Sequence, residues 1–357
     1  MYGADKILLE VLSSLPEEDL KSAAVWLPDD LPDGQHRLSS ELDTRGIWNA
    51  SSPVPVLRRK YLSPSGVWPL LVRLWKTSRM LKRTRPEVVY CTTSAMVICL
   101  VLARAVGVKR VVLHVQEIWS PREATVLGLL ARGAHRILCI STATRDSLPV
   151  NLHARAEILL NAHSESEMER VSVPSNGGQL SFVVASRWNA WKGHGSLLSS
   201  WDEEECPGNL VILGGPPSMG IGIDVPRLVS GLKHNKCVSV IGEVDDISAH
   251  IDAADFLILP SDKPEPFGLV LLEAFARGRA VIASDAGGVL DVVTNGTDGW
   301  LFPIGNASDL ATVLKSLDSA MAEEMGRNAR LSYEEKFSIG AYRRRFRQLW
   351  DTIRTES

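Results

Sequence analysis

The sequence predicts an α/β protein of two successive domains, each a parallel sheet with crossover helices. Three observations carry this. At 357 residues the chain is longer than one hydrophobic core ordinarily serves. Apolar runs of strand length alternate with segments of helical period along most of it, the pattern of β-α-β units. That series is broken once, by the small, polar, turn-forming stretch 171–179 (VSVPSNGGQ), and then starts again. The expected division is a first domain over 1–170, a linker over 171–179, a second domain over 180–337 and a closing helical segment over 338–357.

Composition sets outer bounds. An apolar fraction of 45% and a charged fraction of 23% are those of an ordinary folded protein, and a net charge of −3 discriminates little. Cys91, Cys99, Cys139, Cys206 and Cys237 are scattered without a C-x-x-C and mostly lie in apolar runs. They are expected to be reduced core residues of a cytoplasmic protein, forming neither a zinc site nor a disulfide framework. The longest apolar run, Ala95 to Ala103, is about half the ~20 residues a bilayer span needs, and the N-terminus has no signal-peptide pattern. The expectation is a soluble protein, at most associated with the inner face of a cell membrane.

The elements follow in order. Ile7, Leu8, Val11, Leu12 and Leu15 recur at helical spacing, so the chain opens on a helix over 4–15. An apolar strand (Ala23 to Leu27), a turn-rich LPDDLPDG and a helical stretch over 35–44 come next. From Arg58 to Arg85 there are then nine basic residues (Arg58, Arg59, Lys60, Arg73, Lys76, Arg79, Lys82, Arg83, Arg85) and no acid. Within 68–84 the cations recur at helical spacing, with Leu70, Leu71, Leu74, Trp75 and Leu81 on other faces. A basic amphipathic helix suits an anionic membrane surface, where each Lys or Arg is worth about 1 kcal/mol. An ordinary solvated helix face is the competing reading. Nucleic acid is not expected, because no recognised binding motif accompanies the charge.

Four strands follow: Val88 to Cys91, Arg110 to Val115, Arg136 to Ile140 and Ala156 to Leu160. His114 lies near the carboxyl end of the second, with Glu117 three residues on, and Ser141 follows the third in a position to cap a helix. The second series comprises Leu180 to Ala185, Asn209 to Leu213, Val238 to Ile241, Phe256 to Leu259 and Ala280 to Ala283. A final helix over 339–353 carries Arg343, Arg344, Arg345 and Arg347.

The most informative stretch runs from Phe256 to Gly288. Its strand is stopped by Pro260, passes through a polar loop and enters a helix at about Phe267. Ligands of open α/β sheets sit beyond the carboxyl ends of strands, and the free amides of a helix N-terminus, here near Phe267, Gly268 and Leu269, favour an anion such as phosphate. Glu265 precedes the helix and Glu273 lies inside it, within roughly 12 Å at a rise of about 1.5 Å per residue. Two carboxylates can thus flank one elongated ligand.

With Glu265-x7-Glu273, the internal Pro-Phe-Gly, Ala274, Gly278 and the later Gly287-Gly288, this stretch resembles the donor-sugar site of glycosyltransferase family 4. The resemblance implies the GT-B architecture, two Rossmann-like domains facing across a cleft, with the C-terminal helix crossing back to the first. It implies that Glu265 meets the hydroxyls of the transferred sugar, that Glu273 holds the ribose, and that Phe267, Gly268 and Leu269 present amides to sugar and diphosphate. In SRWNAWKG, Arg187 and Lys192 match the family's diphosphate-gripping pair; His114 matches its cleft histidine, and Glu117 would orient an acceptor hydroxyl. Gly214-Gly215 and Gly242-Glu243 stand where the family folds glycine turns around base and ribose. Family members open on a β-strand and glycine loop before such a first helix, so a central strand of the first sheet is expected to be missing here.

The chemistry explains the residue types. Breaking an anomeric bond to a nucleoside diphosphate builds negative charge on the leaving phosphate, and two fixed cations with helix amides can meet it. The chain contains no Asp-x-Asp, the pattern by which many glycosyltransferases hold a divalent ion, so transfer is expected to need no metal or other cofactor. The implied reaction moves a sugar, with retention of configuration, from a nucleotide sugar to a saccharide or lipid-linked acceptor of cell-surface polysaccharide or glycolipid. Two readings compete: a non-catalytic nucleotide-sugar-binding scaffold subunit, and a nucleotide-sugar epimerase on the same fold.

Overall fold

The structure, a computed structural model, describes residues 3–30, 37–58, 61, 64–164, 179–203, 206–217 and 220–355. The expected linker 171–179 lies outside them apart from Gln179, as do Arg59, Lys60 and part of the LPDDLPDG turn. The chain divides into two compact units. One is Met1–Asn161 with Tyr342–Ser357, the other Ala162–Ala341.

The first unit contains β1 (Val25–Pro28), β2 (Asn49–Ser52), β3 (Val88–Cys91), β4 (Arg110–Val115), β5 (Arg136–Cys139) and β6 (Ala156–Ile158). Among the described residues these form two parallel sheets, β1-β2 and β3-β4-β5-β6. β1 and β3 therefore each pair on one side only, and their apolar residues are mostly half-buried. β4, sandwiched on both sides, is fully buried from Val111 to Val115, which is why it reads as an apolar run interrupted only by His114. The core joins Leu113 and Ile137 of the sheet to Val97 and Leu100 of the helix Val97–Ala105.

Local sequence fixes the helix ends. Ser120 and Glu123 form a reciprocal capping box at the helix Pro121–Ala131. Ser141, one of the residues singled out after β5, is buried and caps Thr142–Asp146 by accepting from the Thr144 amide at 3.1 Å. The C-terminal helix Ile339–Thr355 buries Tyr342, Phe346 and Trp350, spaced i, i+4, i+8, and stacks their rings. From Tyr342 onward this helix belongs to the first unit, where Arg347 donates to Ser14 O and Trp350 to Asp19 Oδ2 at 2.8 Å.

The second unit is one six-stranded parallel sheet among the described residues. Its strands are β7 (Leu180–Ala185), β8 (Gly208–Leu213), β9 (Val238–Gly242), β10 (Phe256–Leu259), β11 (Ala280–Ser284) and β12 (Gly299–Phe302), in the order β12-β11-β10-β7-β8-β9. The order reverses at β7 and β10, which are neighbours in register Phe182↔Phe256. That is the topological switch point at which open α/β sheets bind ligands.

One expectation is overturned here. Cys206 and Cys237 are joined in a disulfide, Cα atoms 6.2 Å apart, while Cys91, Cys99 and Cys139 are free and buried. The partners are 31 residues apart and meet only because parallel β8 and β9 start side by side. Nothing in linear spacing shows that. Burial raises the free thiols, to about 12 for Cys99 and Cys139, so they stay protonated and inert.

Candidate active site

β7 and β10 end side by side, and the loops that leave them are locked together by backbone. Past β7 the chain makes a 3-10 turn, Ala190–Lys192, closed by Gly193 at φ +71. A Cβ there would lie 1.6 Å from Pro260 O, so only glycine lets this loop reach the end of β10. The Asp262 amide donates to Trp191 O at 2.8 Å, and Ser196 donates to Asp262 Oδ1 at 2.9 Å.

This backbone contact delivers Lys192 to Glu265. Nζ and Oε1 are 2.6 Å apart, and the ammonium also lies over the Trp191 ring, 4.3 Å from its centre. Glu265 is 5% exposed, and Ser261 donates a very short hydrogen bond to the same Oε1. A buried carboxylate needs such compensation. The loop bearing Glu265 is in turn clasped by the loop after β11: Gly288 N donates to Glu265 O at 2.7 Å. Gly287 sits at φ +74, where a Cβ would meet Glu265 O at 2.2 Å, and a Cβ on Gly288 would meet Pro266 O at 2.2 Å. The twin glycines are thus spent on this backbone approach.

Immediately after Glu265 the chain turns through Pro266 and Phe267 into Gly268, whose φ of +87 starts the helix Leu269–Ala276. The helix begins at Leu269, two residues later than the sequence predicts, because the left-handed Gly268 cannot be its first turn. Phe267 is buried against Phe337, leaving the half-buried Gly268 and Leu269 at the helix mouth. Glu273, half-buried, follows one turn in.

Arg187 is exposed and stands between two fixed neighbours. Ser186 bonds His194 Nε2 at 3.1 Å, and the Trp188 amide donates to Gly215 O at 2.8 Å. It is therefore set beside the Gly214-Gly215 turn, itself packed so closely that a Cβ on Gly214 would meet Ser186 O at 2.0 Å. Buried His194 is pushed down to about 4, first by desolvation and next by the Lys192 charge, so it is neutral.

Of the residues the sequence singled out, the structure brings Lys192, Glu265, Gly287 and Gly288 into direct contact and sets Arg187 beside Gly214 and Gly215. Sequence reasoning missed Ser261, Trp191 and the Ser186–His194 pair. Ser261 had a faint signal, being the first polar residue after a strand and Pro260.

His114 and Glu117 belong to the first unit. His114 is 1% exposed, its Nδ1 2.9 Å from the Tyr90 hydroxyl, and burial pushes it down to about 3. Its Nε2 is a buried atom that no described residue bonds. Glu117 is exposed, and its carboxylate accepts from Ser94 at 2.8 Å while Ser94 accepts from Trp119 Nε1 at 2.8 Å.

Comparison with solved structures decides the architecture. HepE from Anabaena, solved with UDP, superposes with a TM-score of 0.78 over 98% of this chain and 96% of that one, at 20% identity. WaaB, a lipopolysaccharide outer core galactosyltransferase, gives 0.76 over 99% and 96%, at 18% identity. The fold is GT-B. Within it, residues 179–319 match the family model of glycosyl transferases group 1, and this segment carries Arg187, Lys192, Glu265 and Glu273. Over 135 residues the chain is 32% identical to the N-acetyl-alpha-D-glucosaminyl L-malate synthase of Bacillus anthracis, covering 37% of this chain and 34% of that protein. A D-inositol 3-phosphate glycosyltransferase of Pseudarthrobacter chlorophenolicus is 28% identical over 252 residues, covering 62% and 57%. The chain thus spans about a third of the first relative and somewhat over half of the second.

Proposed function

We propose that this GT-B chain is a retaining glycosyltransferase of family 4. It transfers a sugar from a nucleoside-diphosphate sugar to a saccharide or lipid-linked acceptor in cell-surface polysaccharide or glycolipid synthesis. The observation that carries the reading is the Lys192–Glu265 pair at 2.6 Å, two residues ahead of the Phe267-Gly268 turn and its helix. Here a cation and a carboxylate meet just ahead of a helix N-terminus, at the switch point of a parallel sheet. The diphosphate lies against Lys192, Arg187 and the amides of Gly268 and Leu269. Glu265 takes the sugar hydroxyls and Glu273 the ribose, while Gly214 and Gly215 flank the base. A uridine nucleotide is the first to test, because HepE was solved with UDP and with UDP-glucose.

The reaction follows from these positions. The anomeric C–O bond to the diphosphate breaks, and the acceptor oxygen bonds to the same carbon on the same face. The acceptor proton passes to the leaving phosphate oxygen. Charge on the leaving group is met by Lys192, Arg187 and helix amides, so no divalent ion is required of the protein. Lys192 is held on Glu265, and a donor phosphate would compete with that carboxylate for it. The family resemblance further assigns His114, neutral and with its Nε2 unbonded among the described residues, to the transferred sugar and Glu117 to the acceptor.

Among the described residues no helix is long and apolar enough to cross a membrane. The enzyme works at the cytoplasmic face, held peripherally through the basic stretch. Isothermal titration with UDP tests the reading directly. Binding should weaken about 10- to 100-fold in Lys192→Ala and in Arg187→Ala, and release of UDP with a new glycoside should separate a transferase from a scaffold or an epimerase. A purified protein that binds no nucleoside diphosphate would end the proposal.

A further inference from the structure

The helix Pro64–Thr84 holds two opposite faces. On one, Arg73, Thr77 and Leu81 recur at i, i+4, i+8 and fasten the helix to the first unit. Arg73 pairs with Asp29 at 2.6 Å, Thr77 donates to Pro53 O at 3.2 Å, and Leu81 is 3% exposed. On the other, Trp68, Leu71 and Trp75 are 72%, 50% and 60% exposed. At about 100° per residue these three and Lys82 fall within about 60° of one another, nearly opposite the fastened side. Three large apolar side chains on one helix face are not scattered surface residues, because two of them are tryptophans at i, i+7 spacing.

The charge beside them identifies the occupant. Lys76, Arg79, Lys82, Arg83 and Arg85 are all exposed, and the Arg79 guanidinium lies over the Trp75 ring at 5.5 Å. No acid occurs between Arg58 and Arg85, and Glu87 just beyond is paired with Arg110 at 2.9 Å. Tryptophan and leucine in the first turns, followed by a basic second half, match the layering of a membrane interface. Indoles sit at the headgroup boundary and cations on the anionic phosphates. A protein partner would leave the unopposed cations to be desolvated. We infer that Trp68, Leu71 and Trp75 insert into the headgroup region of an anionic bilayer, with Lys76, Arg79, Lys82 and Arg83 on its lipid phosphates. The sequence placed only the cations on this contact. The structure adds the apolar face and its orientation.

This deepens the peripheral-membrane part of the function proposed above and rests on it. The test is run without nucleotide, so vesicle binding and nucleotide binding can fail separately. The full chain is floated with vesicles of phosphatidylcholine alone or with about 30% phosphatidylglycerol, at low salt and at about 0.5 M salt. Flotation is expected with anionic vesicles, weakened in high salt. Trp68→Ser/Trp75→Ser should lower partitioning at least about tenfold, the loss expected for two buried aromatic side chains. Arg79→Glu/Lys82→Glu should abolish the preference for anionic lipid. Both variants should keep the wild-type melting temperature, since the altered side chains are exposed. Wild-type protein that stays at the bottom of the gradient overturns the inference, as do variants that float like wild type. Equal, salt-insensitive binding to neutral vesicles overturns it too. A concentration-dependent dimer abolished by Trp68→Ser/Trp75→Ser, without flotation, would make this face a contact between copies instead.

Discussion

Removing Lys192 separates the role the structure shows for it, pairing with Glu265, from the role proposed for it, binding the donor diphosphate. Its ammonium compensates a Glu265 carboxylate that is almost fully buried, the two side chains being 18% and 6% exposed. Breaking such a pair by deleting one partner costs about 3–5 kcal/mol when both are fully buried. The residual exposure of Lys192 and the remaining Ser261 bond put Lys192→Ala near the lower end, about 3 kcal/mol. For a unit of this size that is a drop of about 6–12 °C in melting temperature. Lys192→Ala/Glu265→Gln removes the stranded charge while keeping an acceptor for Ser261, so it should recover about 2 kcal/mol of the loss. Nucleotide binding should not recover. A charge-assisted bond to phosphate is worth about 1.5–3 kcal/mol, so both variants should bind UDP about 10- to 100-fold more weakly. Thermal denaturation and calorimetric titration on the same preparations measure both quantities. A double variant as unstable as the single one would refute the buried-pair argument. A stable Lys192→Ala that binds UDP like wild type would refute the clamp.

Further expectations are measurable independently. Gly287→Ala should cost at least about 2 kcal/mol, from left-handed backbone plus the collision with Glu265 O, whereas Gly305→Ala, equally left-handed but open, should cost about 1 kcal/mol in chemical denaturation. Closing 31 residues with the Cys206–Cys237 bond should contribute about 3–4 kcal/mol. A thiol titration of the denatured, unreduced chain should find three of the five cysteines, and reductant or Cys206→Ser should lower the denaturation midpoint. His194 is neutral in the fold down to about pH 4 but titrates near 6.5 when unfolded. Its contribution is therefore complete above pH 6.5 and lost as pH falls toward 4, about 3 kcal/mol in all, and His194→Phe should flatten that part of the stability profile. Donor turnover should persist in excess chelator; its loss and recovery with a divalent ion would place a metal in the reaction.

What could be read from sequence was whatever periodicity or special backbone geometry writes into consecutive residues. Buried parallel strands such as β10 (FLIL) and β4, apolar but for Arg110 and His114, stand out as apolar runs, so their position was plain; β2 (NASS) and β12 (GWLF) were missed. The first offers only polar and small residues, the second lies at the sheet edge, and neither makes a long apolar run. Twin glycines at 287 and 288 marked a close approach correctly, but what they approach, the backbone of Glu265, lies more than twenty residues away. The Cys206–Cys237 bond was misread for the same reason: two strands must be adjacent before their leading residues can meet.

The same logic explains why the ion pair was hidden while its members were not. Sequence marked Lys192 as a phosphate ligand and Glu265 as a sugar ligand, two separate duties toward one donor. The structure shows the ammonium held by the carboxylate at 2.6 Å, with Ser261 and Trp191 supporting each side. If the site binds a doubly charged phosphate as proposed, its cation must be compensated within the fold, and an acid that also serves the sugar would be a suitable counter-ion. On the proposed reading, donor binding would exchange one partner of Lys192 for another, freeing Glu265 for the sugar as the phosphate takes the ammonium. If that exchange operates, Glu265→Gln should bind UDP as tightly as wild type or tighter, because nothing competes for Lys192, while losing transfer. Weaker UDP binding in Glu265→Gln would show that the carboxylate supports the diphosphate rather than holding its cation in reserve.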